Sequence, residues 1–495
     1  MPELIWLPEP KILVGYNQQI EDPRDGLTLF GPLDRGQTYG VRYGVIGTEA
    51  GIALLKQFVK RIQKPVVDIK VSAFRPPFPG FETVYGVPWT PNPAVEIVIS
   101  DHALAAAVHI DEPHQRVYKT VELYSEEILR SKDREESVVD LWLVVVTEDV
   151  YKYCRPMSRV EKSLRIESDA ALSAKSAKLY RNMPSLFSED NEAAKLYEYE
   201  AHFHNQLKAR LLQNRVLTQI VREVNIDLDN LPKYKDSPSA IAWSLCNGIY
   251  YKTGGRPWKI GTIREGVCYI GIVFKKDHRP DPQSSCCAAQ MFLDSGDGIV
   301  FRGNVGPWYT PNTGDYHLTR DAAKHLISIA LESYIQYHKC APKELFIHGT
   351  TRFNAEEWRG FQQAVNLDET NLVGVQIRRN TDLKVYGNDD YPILRGLASI
   401  VDDYNAYLWT NGYSPRIQTY NGKEVPNPLK IEICGGKADM STVVQDILSL
   451  TKLNYNTCIL GDGIPVTLRF ADAIGEILTA GPIGSQPPLP FKHYI

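Results

Sequence analysis

The order of the apolar segments in its second half constrains the fold of this chain more than any other feature of its sequence. Residues 267–274 are apolar and extended in pattern, and two further strand-like runs, 286–293 and 299–303, flank the turn SGDG. Thr319 can cap a helix whose apolar residues repeat at helical spacing, and another strand-like run follows at 345–348. The pattern therefore predicts three strands that can pair antiparallel, then a helix and a further strand.

Two α/β units are expected in the chain. The order just described is that of an RNase H-like layer, whereas the run of β-branched residues and leucines at 138–146 is typical of a buried parallel strand and predicts a Rossmann-like unit. Residues 1–100 consist of short extended segments separated by turns, with one helix at 50–62. Because 495 residues exceed the size of one hydrophobic core, we expect an α/β fold with two or three domains.

Composition argues against several classes of protein. The longest apolar runs are far shorter than the roughly 20 residues that cross a bilayer, and MPELIWLPEP has acidic residues and prolines where a signal peptide needs a basic stretch. We therefore expect a cytoplasmic protein without a membrane partner. The eight cysteines have no metal-ligand spacing. A formal net charge of -4 does not indicate a basic surface, so any nucleic-acid site must be a local patch.

Four polar residues and a glycine pair give the first functional signal. His204 and Lys208 stand one helical turn apart, Gln219 follows, and Lys252 opens the heptapeptide KTGGRPW. This ensemble resembles the MID pocket of Argonautes, which holds the 5′-phosphate of a guide strand. The resemblance implies that the His204 ring stacks on the terminal base while Lys208, on the same helix face, meets the phosphate. Gln219 would add amide donors and Lys252 a second point charge.

One position departs from the Argonaute pattern. Argonautes often carry a further lysine one turn before the lysine of KxGG, where this chain has Asn247 and Gly248. Arg222, a few residues past Gln219, is a candidate to supply the missing charge. Arg222 therefore joins His204, Lys208, Gln219 and Lys252 in the predicted guide-phosphate set.

A second stretch with a family resemblance lies near the C-terminus. It comprises EVPNPLKIEI at 424–433 and ILSLTKLNYNTCILGDGIPVTLRFADAIGEIL at 447–478. Both segments are similar to the closing motif of PIWI domains. In PIWI folds the last residue is buried at the MID interface, so the resemblance implies that the carboxylate of Ile495 helps to hold a Mg2+ ion at the guide phosphate.

The positions that carry the nuclease carboxylates of PIWI domains are the third signal. RNase H-type cleavage uses two metal ions that several converging carboxylates hold. By the resemblance, Val273 occupies the place of the first aspartate, Gly349 follows the strand that carries the second, and Asp472 alone matches the final ligand position. We therefore expect no cleavage, and Asp472 by itself is better explained as a helix-surface or structural carboxylate.

The length and the degenerate site resemble the short Argonaute class, which has no N or PAZ domain. The expected division is an N-terminal segment at 1–110, a MID domain at 111–255 and a PIWI domain at 256–495. Short Argonautes work with a separate protein in which an APAZ region is fused to an effector. The resemblance implies a sensor in which a guide RNA is loaded and pairs with invading plasmid or phage single-stranded DNA. The partner, TIR-APAZ as first choice and Sir2-APAZ as second, would then deplete NAD and cause abortive infection.

Other functions stay open from the sequence. The chain could be an active guide-directed nuclease, the partner of an APAZ-fused nuclease, or an RNase H-like interaction module without a guide. RNA or DNA as guide, and oligomerisation of the heterodimer on activation, also stay open. Basic residues near the expected PIWI groove are candidates for contacts to the nucleic-acid backbone, although solvated surface charge explains them equally well: Arg256, Lys259, Lys275 and Lys276.

Overall fold

The computed structural model describes most of the chain. It leaves out residues 1–2, 135–136, 169–171, 233–235, 263, 277–284, 293–297, 307–308, 311–314, 389, 421, 423, 483–488 and 495. Within helices and strands it also leaves out the side chains of residues 174, 181–182, 276, 285–292, 298–306 and 309–310. Two predicted site residues are affected, because Ile495 and the side chain of Lys276 lie outside the described part.

Strands and helices alternate along the chain. The strands are β1 (Glu3–Trp6), β2 (Ile12–Leu13), β3 (Gln19–Ile20), β4 (Tyr43–Gly47), β5 (Val95–Val98), β6 (Leu141–Val146), β7 (Thr218–Arg222), β8 (Lys259–Ile260), β9 (Val267–Lys276), β10 (Ser285–Phe292), β11 (Gly298–Gly306), β12 (Tyr309–Thr310), β13 (Asp315–Tyr316), β14 (Glu344–Gly349), β15 (Asn371–Arg379), β16 (Leu397–Asp402), β17 (Asn405–Leu408) and β18 (Leu429–Gly435). The α-helices are α1 (Pro23–Phe30), α2 (Glu49–Arg61), α3 (Phe81–Tyr85), α4 (Asp101–Val108), α5 (Pro113–Asp133), α6 (Glu148–Tyr153), α7 (Ala174–Asn182), α8 (Ser188–Lys195), α9 (Phe203–Leu212), α10 (Glu223–Ile226), α11 (Pro238–Lys252), α12 (Arg320–His338), α13 (Ala355–Ala364), α14 (Met440–Leu450) and α15 (Val466–Thr479).

A four-stranded parallel sheet forms the first α/β unit. Its strand order is β5-β4-β6-β7, and every neighbouring pair is parallel. The central strand β6 has the sequence LWLVVV and all its residues are buried. Its side chains alternate between a core that includes α2 and a second core built with α4, α5 and α9. A near-continuous apolar run is typical of a strand with helices on both faces, so the predicted Rossmann-like unit is confirmed.

The N-terminal region contributes more to this unit than the sequence indicated. Strands β4 and β5 precede residue 110, so the predicted boundary between residues 110 and 111 passes between strands of one sheet. Its helices other than α2 were also not predicted. The β4 sequence YGVIG has two glycines, which weaken any strand pattern. A Cβ on Gly44 would lie 2.8 Å from the Trp142 ring, so glycine is required for β4 to approach β6.

A nine-stranded mixed sheet organises the second half of the chain. Its order is β1-β16-β17-β18-β15-β14-β9-β10-β11. Strands β9, β10 and β11 pair antiparallel, whereas β14 is parallel to both β9 and β15. Helix α12 begins after Thr319, whose side chain accepts a hydrogen bond from the backbone N–H of Ala322. Helices α12 and α13 cover one face and α14 and α15 the other. The predicted RNase H-like order of strands and helix is therefore confirmed.

The first residues of the chain join this sheet and its core. Strand β1 pairs with β16 at the sheet edge, and β2 pairs with β8. Glu9 then forms buried ion pairs of 2.7 Å with both Arg395 and Lys452. Burial would raise the pKa of Glu9, but the two positive charges outweigh burial and hold the pKa below its usual value. Within the described ranges, no helix has the length and apolar character that a membrane span requires.

Candidate functional site

Two buried lysines from different helices converge on one carbonyl oxygen. Lys208 lies on α9, and Lys252 is the last residue of α11. The Nζ atom of Lys208 donates to the carbonyl oxygen of Thr218 at 3.3 Å, and that of Lys252 donates to the same oxygen at 3.0 Å. The two residues are only 2% and 1% exposed. Because two ammonium groups repel each other more strongly away from water, an anion bound beside them would stabilise this arrangement.

The glycines of KTGGRPW explain why α11 ends at Lys252. Gly254 has a φ of +98°, in the left-handed region that favours glycine at helix ends. A Cβ on Gly255 would lie 2.2 Å from the Tyr250 ring, so the second glycine lets that ring pack. Trp258 then donates from its ring nitrogen to the carbonyl oxygen of Lys452 at 3.0 Å. This bond joins the heptapeptide to the LTKLNYN segment.

Gln219 lies between the lysines and the neighbouring pocket. Its Oε1 atom accepts a hydrogen bond from Lys252 Nζ at 2.7 Å, and its Nε2 atom donates to the carbonyl oxygen of Ile220 at 3.1 Å. It follows Thr218 directly on β7, so the strand presents two acceptors to the lysines. The structure therefore brings together Lys208, Gln219 and Lys252.

A pocket of about 360 Å³ opens beside these residues. His204 and Gln219 line the pocket together with Gly248 on α11 and Asn456, the last residue of the LTKLNYN segment. The other lining residues are Ile220, Val221, Asn225, Asp236, Ala240, Ile241, Ser244, Leu245 and Thr457. A Cβ on Gly248 would have its nearest neighbours at 3.7 to 4.0 Å, so the glycine leaves this space open. Stretches that are far apart in sequence thus surround one cavity.

Burial controls the protonation of the site. It lowers the pKa of Lys208 to about 7, and burial together with the charge of Lys208 lowers the pKa of Lys252 well below its usual value. Burial and the charge of Lys208 also lower the pKa of His204 to about 3, so the imidazole is neutral at pH 7. His204 Nδ1 lies 3.0 Å from Asn205 Oδ1. A bound anion would favour the charged lysines again.

The last described residues of the chain also lie near the lysines. His493 belongs to the 3₁₀ turn Phe491–His493. Burial and then the positive charges of Lys492 and Lys208 lower the pKa of His493 to about 4. Its Nδ1 atom is buried and has no hydrogen-bond partner among the described residues. Sequence reasoning missed His493, and the only signal for it was its position two residues before Ile495.

Arg222 does not take part in the lysine cluster. It is the last residue of β7, and its Nε atom donates to Glu148 Oε1 at 3.1 Å. Its guanidinium also lies 3.2 Å from the ring centroid of Tyr151. Glu148 and Tyr151 hold the side chain, so the structure does not bring Arg222 together with Lys208 and Lys252. The role of Arg222 as the substitute for a missing lysine therefore stays a prediction.

The three positions that the resemblance assigns to nuclease carboxylates lie on the nine-stranded sheet and on α15. Val273 is a buried residue of β9, and Gly349 is the last residue of β14. Asp472, on α15, forms an ion pair of 2.7 Å with Lys275, which also lies 3.2 Å from Glu476. In the part of the chain that the structure describes, no group of three or more His, Cys, Asp or Glu side chains is arranged to hold a metal ion.

The predicted backbone-contacting residues have different surroundings. Lys275 is held by the two carboxylates of α15 and is not a free surface cation. Arg256 lies 3.5 Å from Asp34. Lys259 is half-buried on β8, opposite Leu13. The side chain of Lys276 lies outside the described residues, so its predicted role stays a prediction.

The LTKLNYN segment joins the cavity to the rest of the molecule. Tyr455 donates its hydroxyl to the carbonyl oxygen of Trp258 at 2.7 Å, and Asn247 donates its side-chain amide to the carbonyl oxygen of Tyr455 at 2.8 Å. Asn247 stands where Argonautes often have a lysine, and here it has a structural bond. Asn456, the next residue along, lines the pocket. The two stretches that carry the family resemblance are therefore bonded to each other.

Comparison with known proteins gives matches in structure only. No protein-family model and no curated protein matches the sequence. The Argonaute of Clostridium butyricum, solved with a guide DNA and a 19-mer target DNA, matches with a TM-score of 0.64 and 15% identity over 98% of this chain and 54% of that chain. Drosophila Piwi matches with a TM-score of 0.59 and 14% identity over 99% and 56%. The A. aeolicus Argonaute matches with a TM-score of 0.55 and 13% identity over 97% and 53%.

The two α/β units and the pocket form one arrangement. The Rossmann-like unit and the RNase H-like sheet share one core, and residues of both units line the pocket beside the two buried lysines. The structural matches identify this arrangement as an Argonaute-type fold, with the predicted combination of MID-like and PIWI-like units. The chain spans about half the length of the solved Argonautes that it matches.

Proposed function

We propose that this chain is the guide-binding, non-cleaving subunit of a two-protein defence sensor. It would hold a guide RNA by its 5′-phosphate and pair it with single-stranded DNA from an invading plasmid or phage. A separate APAZ-bearing NADase, of TIR type as first choice and Sir2 type as second, would supply the enzymatic activity. Pairing of guide and target would provide the sequence specificity, while the protein reads backbone charge and shape.

The observation that carries this proposal is the convergence of Lys208 and Lys252 beside a cavity lined by His204 and Gln219. A terminal phosphate carries about 1.5 to 2 negative charges at pH 7 and several acceptor oxygens. Two ammonium groups and an amide match this charge and these acceptors. The neutral His204 ring lines the same cavity, where a terminal base could stack on it.

The absence of cleavage is the second part of the proposal. Val273 is an apolar residue where a first carboxylate would be needed, and Gly349 has no side chain. Asp472 already forms an ion pair of 2.7 Å with Lys275, so a metal ion would have to compete with this ammonium group. A two-metal mechanism needs several free carboxylates that converge, and these residues do not provide them.

The third part of the proposal is a Mg2+ ion bound at the guide phosphate. Its proposed protein ligand is the carboxylate of Ile495, which lies outside the described residues. Support comes from His493, which is close enough to Lys208 and Lys252 for their charges to lower its pKa. When bound, the ion would offset the charge of the phosphate. The residues of this chain would position the guide end and exclude water from it.

The test compares binding of 5′-phosphorylated and 5′-hydroxyl oligonucleotides to the wild-type chain, Lys208→Ala, Lys252→Ala and the double variant. We expect the double variant to lose about 2–4 kcal/mol of binding free energy for the phosphorylated guide, because it removes two charge-assisted contacts. Binding of the hydroxyl guide should change little. Lys275→Ala is the matched control, since Lys275 is already neutralised by Asp472 and Glu476. Repeating the titration with EDTA measures the contribution of Mg2+.

Purification of the chain with its proposed partner tests the bound guide, the partner's NADase activity and the absence of cleavage. Short RNAs with 5′-phosphates should accompany the complex, and target DNA should switch on NAD consumption without being cut. Equal binding of both guides by the wild-type chain and by the double variant would refute the pocket assignment. Metal-dependent cleavage opposite the guide centre, abolished by Asp472→Asn, would instead identify a nuclease.

A further inference from the structure

The edge of the nine-stranded sheet at β1 is open among the described residues. Strand β1 pairs with β16 on one side and with no described strand on the other. The backbone N–H of Leu7 donates to the carbonyl oxygen of Gly396 at 2.9 Å. Because backbone groups alternate in direction along an antiparallel strand, those of Leu4 and Trp6 point to the open side. The edge therefore offers donors and acceptors that another strand could pair with.

The side chains at this edge are apolar and exposed. Leu4 is 67% and Trp6 53% exposed, and Val401 on β16 is 47% exposed. Ile5 packs against the main core, so Leu4 and Trp6 lie on the opposite face of the sheet. Edge strands that stay in solvent are usually protected by lysines, prolines or bulges. Here Glu3 is the only charged residue of β1, so the edge has the character of a surface that becomes covered.

Cations lie on the same face of the sheet. Direct cross-strand pairs connect one row from the edge inward, namely Leu4, Ser399, Tyr407, Lys430 and Arg378. Residues paired in this way project to one face. Neither Lys430 nor Arg378 has an ion pair with a described residue. The core under α12 and α13, the helices on this face, includes Leu372 on β15 and no residue of β16, β17 or β18. Within the row, Leu4 and Arg378 are exposed and Ser399, Tyr407 and Lys430 are half-buried.

We propose that this face, which we call the β1 edge surface (Leu4, Trp6, Val401, Lys430 and Arg378), docks a second polypeptide. That polypeptide would add an extended strand to β1, place apolar side chains on Leu4 and Trp6, and bring acidic side chains to Lys430 and Arg378. The open backbone groups favour a peptide strand over a nucleic acid, which has no ladder of N–H and C=O groups to pair with them. This inference rests on the proposed function, which requires a separate effector protein.

A short chain of contacts links the β1 edge surface to the pocket. Glu9, shortly after β1, forms an ion pair of 2.7 Å with Lys452. The same LTKLNYN segment continues to Asn456, which lines the pocket. A partner on β1 would therefore bind next to the segment whose Glu9 is bonded to the LTKLNYN segment.

The experiment measures the affinity between the full chain and the APAZ-bearing effector protein of the proposed function. Leu4→Lys places a charge in the apolar edge, and Leu4→Pro removes an N–H that faces the open side while the pairing with β16 is kept. The matched control is Leu29→Lys, since Leu29 on α1 is also 67% exposed. We expect each Leu4 variant to bind the effector about tenfold more weakly or worse, because backbone pairing and apolar contact are lost. Lys430→Glu should also weaken the complex, and the Leu29 control should not.

Hydrogen exchange gives a second measurement that does not depend on variants. The amides of Leu4 and Trp6 should become protected when the effector binds. Unchanged exchange at these amides, or protection by single-stranded nucleic acid alone, would overturn the inference. A complex whose affinity both Leu4 variants leave unchanged would also overturn it, while the proposed partnership would stand. A wild-type chain that binds guide but forms no complex would instead contradict the partner in the proposed function.

Discussion

A lysine beside the pocket and a lysine beside α15 have opposite surroundings and opposite pKa shifts. Lys252 donates to two neutral oxygens, those of Thr218 and Gln219, and burial lowers its pKa. In Lys275, burial also acts to lower the pKa, but bonds to Asp472 and Glu476 outweigh it and raise the pKa above its usual value. The contrast shows that burial beside neutral oxygens disfavours the charged form of a lysine, whereas nearby carboxylates favour it and balance the charge within the fold. An anion bound beside Lys252 would favour its charged form again, whereas Lys275 already has its counter-charges.

Among the changes that test this contrast, filling the pocket should have the largest effect on guide binding. Gly248→Leu would place a side chain into the cavity, where a Cβ has only contacts at 3.7 Å or beyond. We expect at least about 100-fold weaker binding of a 5′-phosphorylated guide, because the space for the guide end is lost. Leucine is also a better helix residue than glycine, so the thermal stability should not fall. Filter binding and a melting curve measure the two effects.

Gly248→Ala is the graded control for that variant. A single methyl group at this position makes ordinary contacts and leaves most of the cavity free. If leucine and alanine reduce binding equally, or if leucine reduces nothing, the cavity beside the lysines is not the guide site.

A change of pH should have the next largest effect on the affinity for a 5′-phosphorylated guide. The pKa of Lys208 is about 7 in the free protein, and a bound phosphate raises it. Affinity for a 5′-phosphorylated guide should therefore fall as the pH rises above 7, by at most about tenfold per pH unit. A 5′-hydroxyl guide is the control, since it has no phosphate to favour the charged form. A parallel fall for both guides would contradict the role of Lys208.

The stability of the guide-free protein should change with pH in the opposite direction. The pKa of Lys208 is lowered from 10.5 to about 7 in the folded state, so the unfolded chain binds more protons between these values. The contribution of Lys208 to stability therefore rises with pH across that window, by at most about 1.4 kcal/mol per pH unit. Lys275 has a raised pKa, so its contribution is present at neutral pH and is lost only as the pH rises through the folded value.

Removing the ion pairs of Lys275 should have the smallest effect on guide binding and on stability. Lys275→Ala would leave Asp472 and Glu476 without their shared cation. We expect a loss of only about 1 kcal/mol of stability, because these carboxylates are half exposed and screened by solvent. Guide affinity should stay the same. A large drop in guide affinity, measured alongside urea unfolding, would place Lys275 in the nucleic-acid interface and remove the contrast with Lys252.

The sequence predicted the parts of the fold that local pattern controls. The buried strand LWLVVV and the helix after Thr319 follow from periodicity and capping, and both are confirmed. Strand β4 was missed because its pairing with β6 depends on a glycine that fits against Trp142. That fit joins residues about 100 positions apart, so no local window of sequence contains it.

The same distinction holds for the site. Lys208 and Lys252 could be predicted because helix spacing and the KTGG turn are local features that carry a family resemblance. His493 and Asn456 could not be predicted, because a fold brings their distant segments to one cavity. The contacts of Arg222 with Glu148 and Tyr151 could not be predicted for the same reason.

The amino-acid sequence by itself determined the α/β class, the capped helices and the residue types available to meet a phosphate. Local hydrogen bonding and the alternation of apolar side chains decide these features within a few residues. Only the tertiary structure decided which lysine faces neutral oxygens in the interior and which one lies between carboxylates. The reason is that burial and Coulomb interaction depend on distances in space, and the partners of Lys252 and Lys275 lie far from them along the chain.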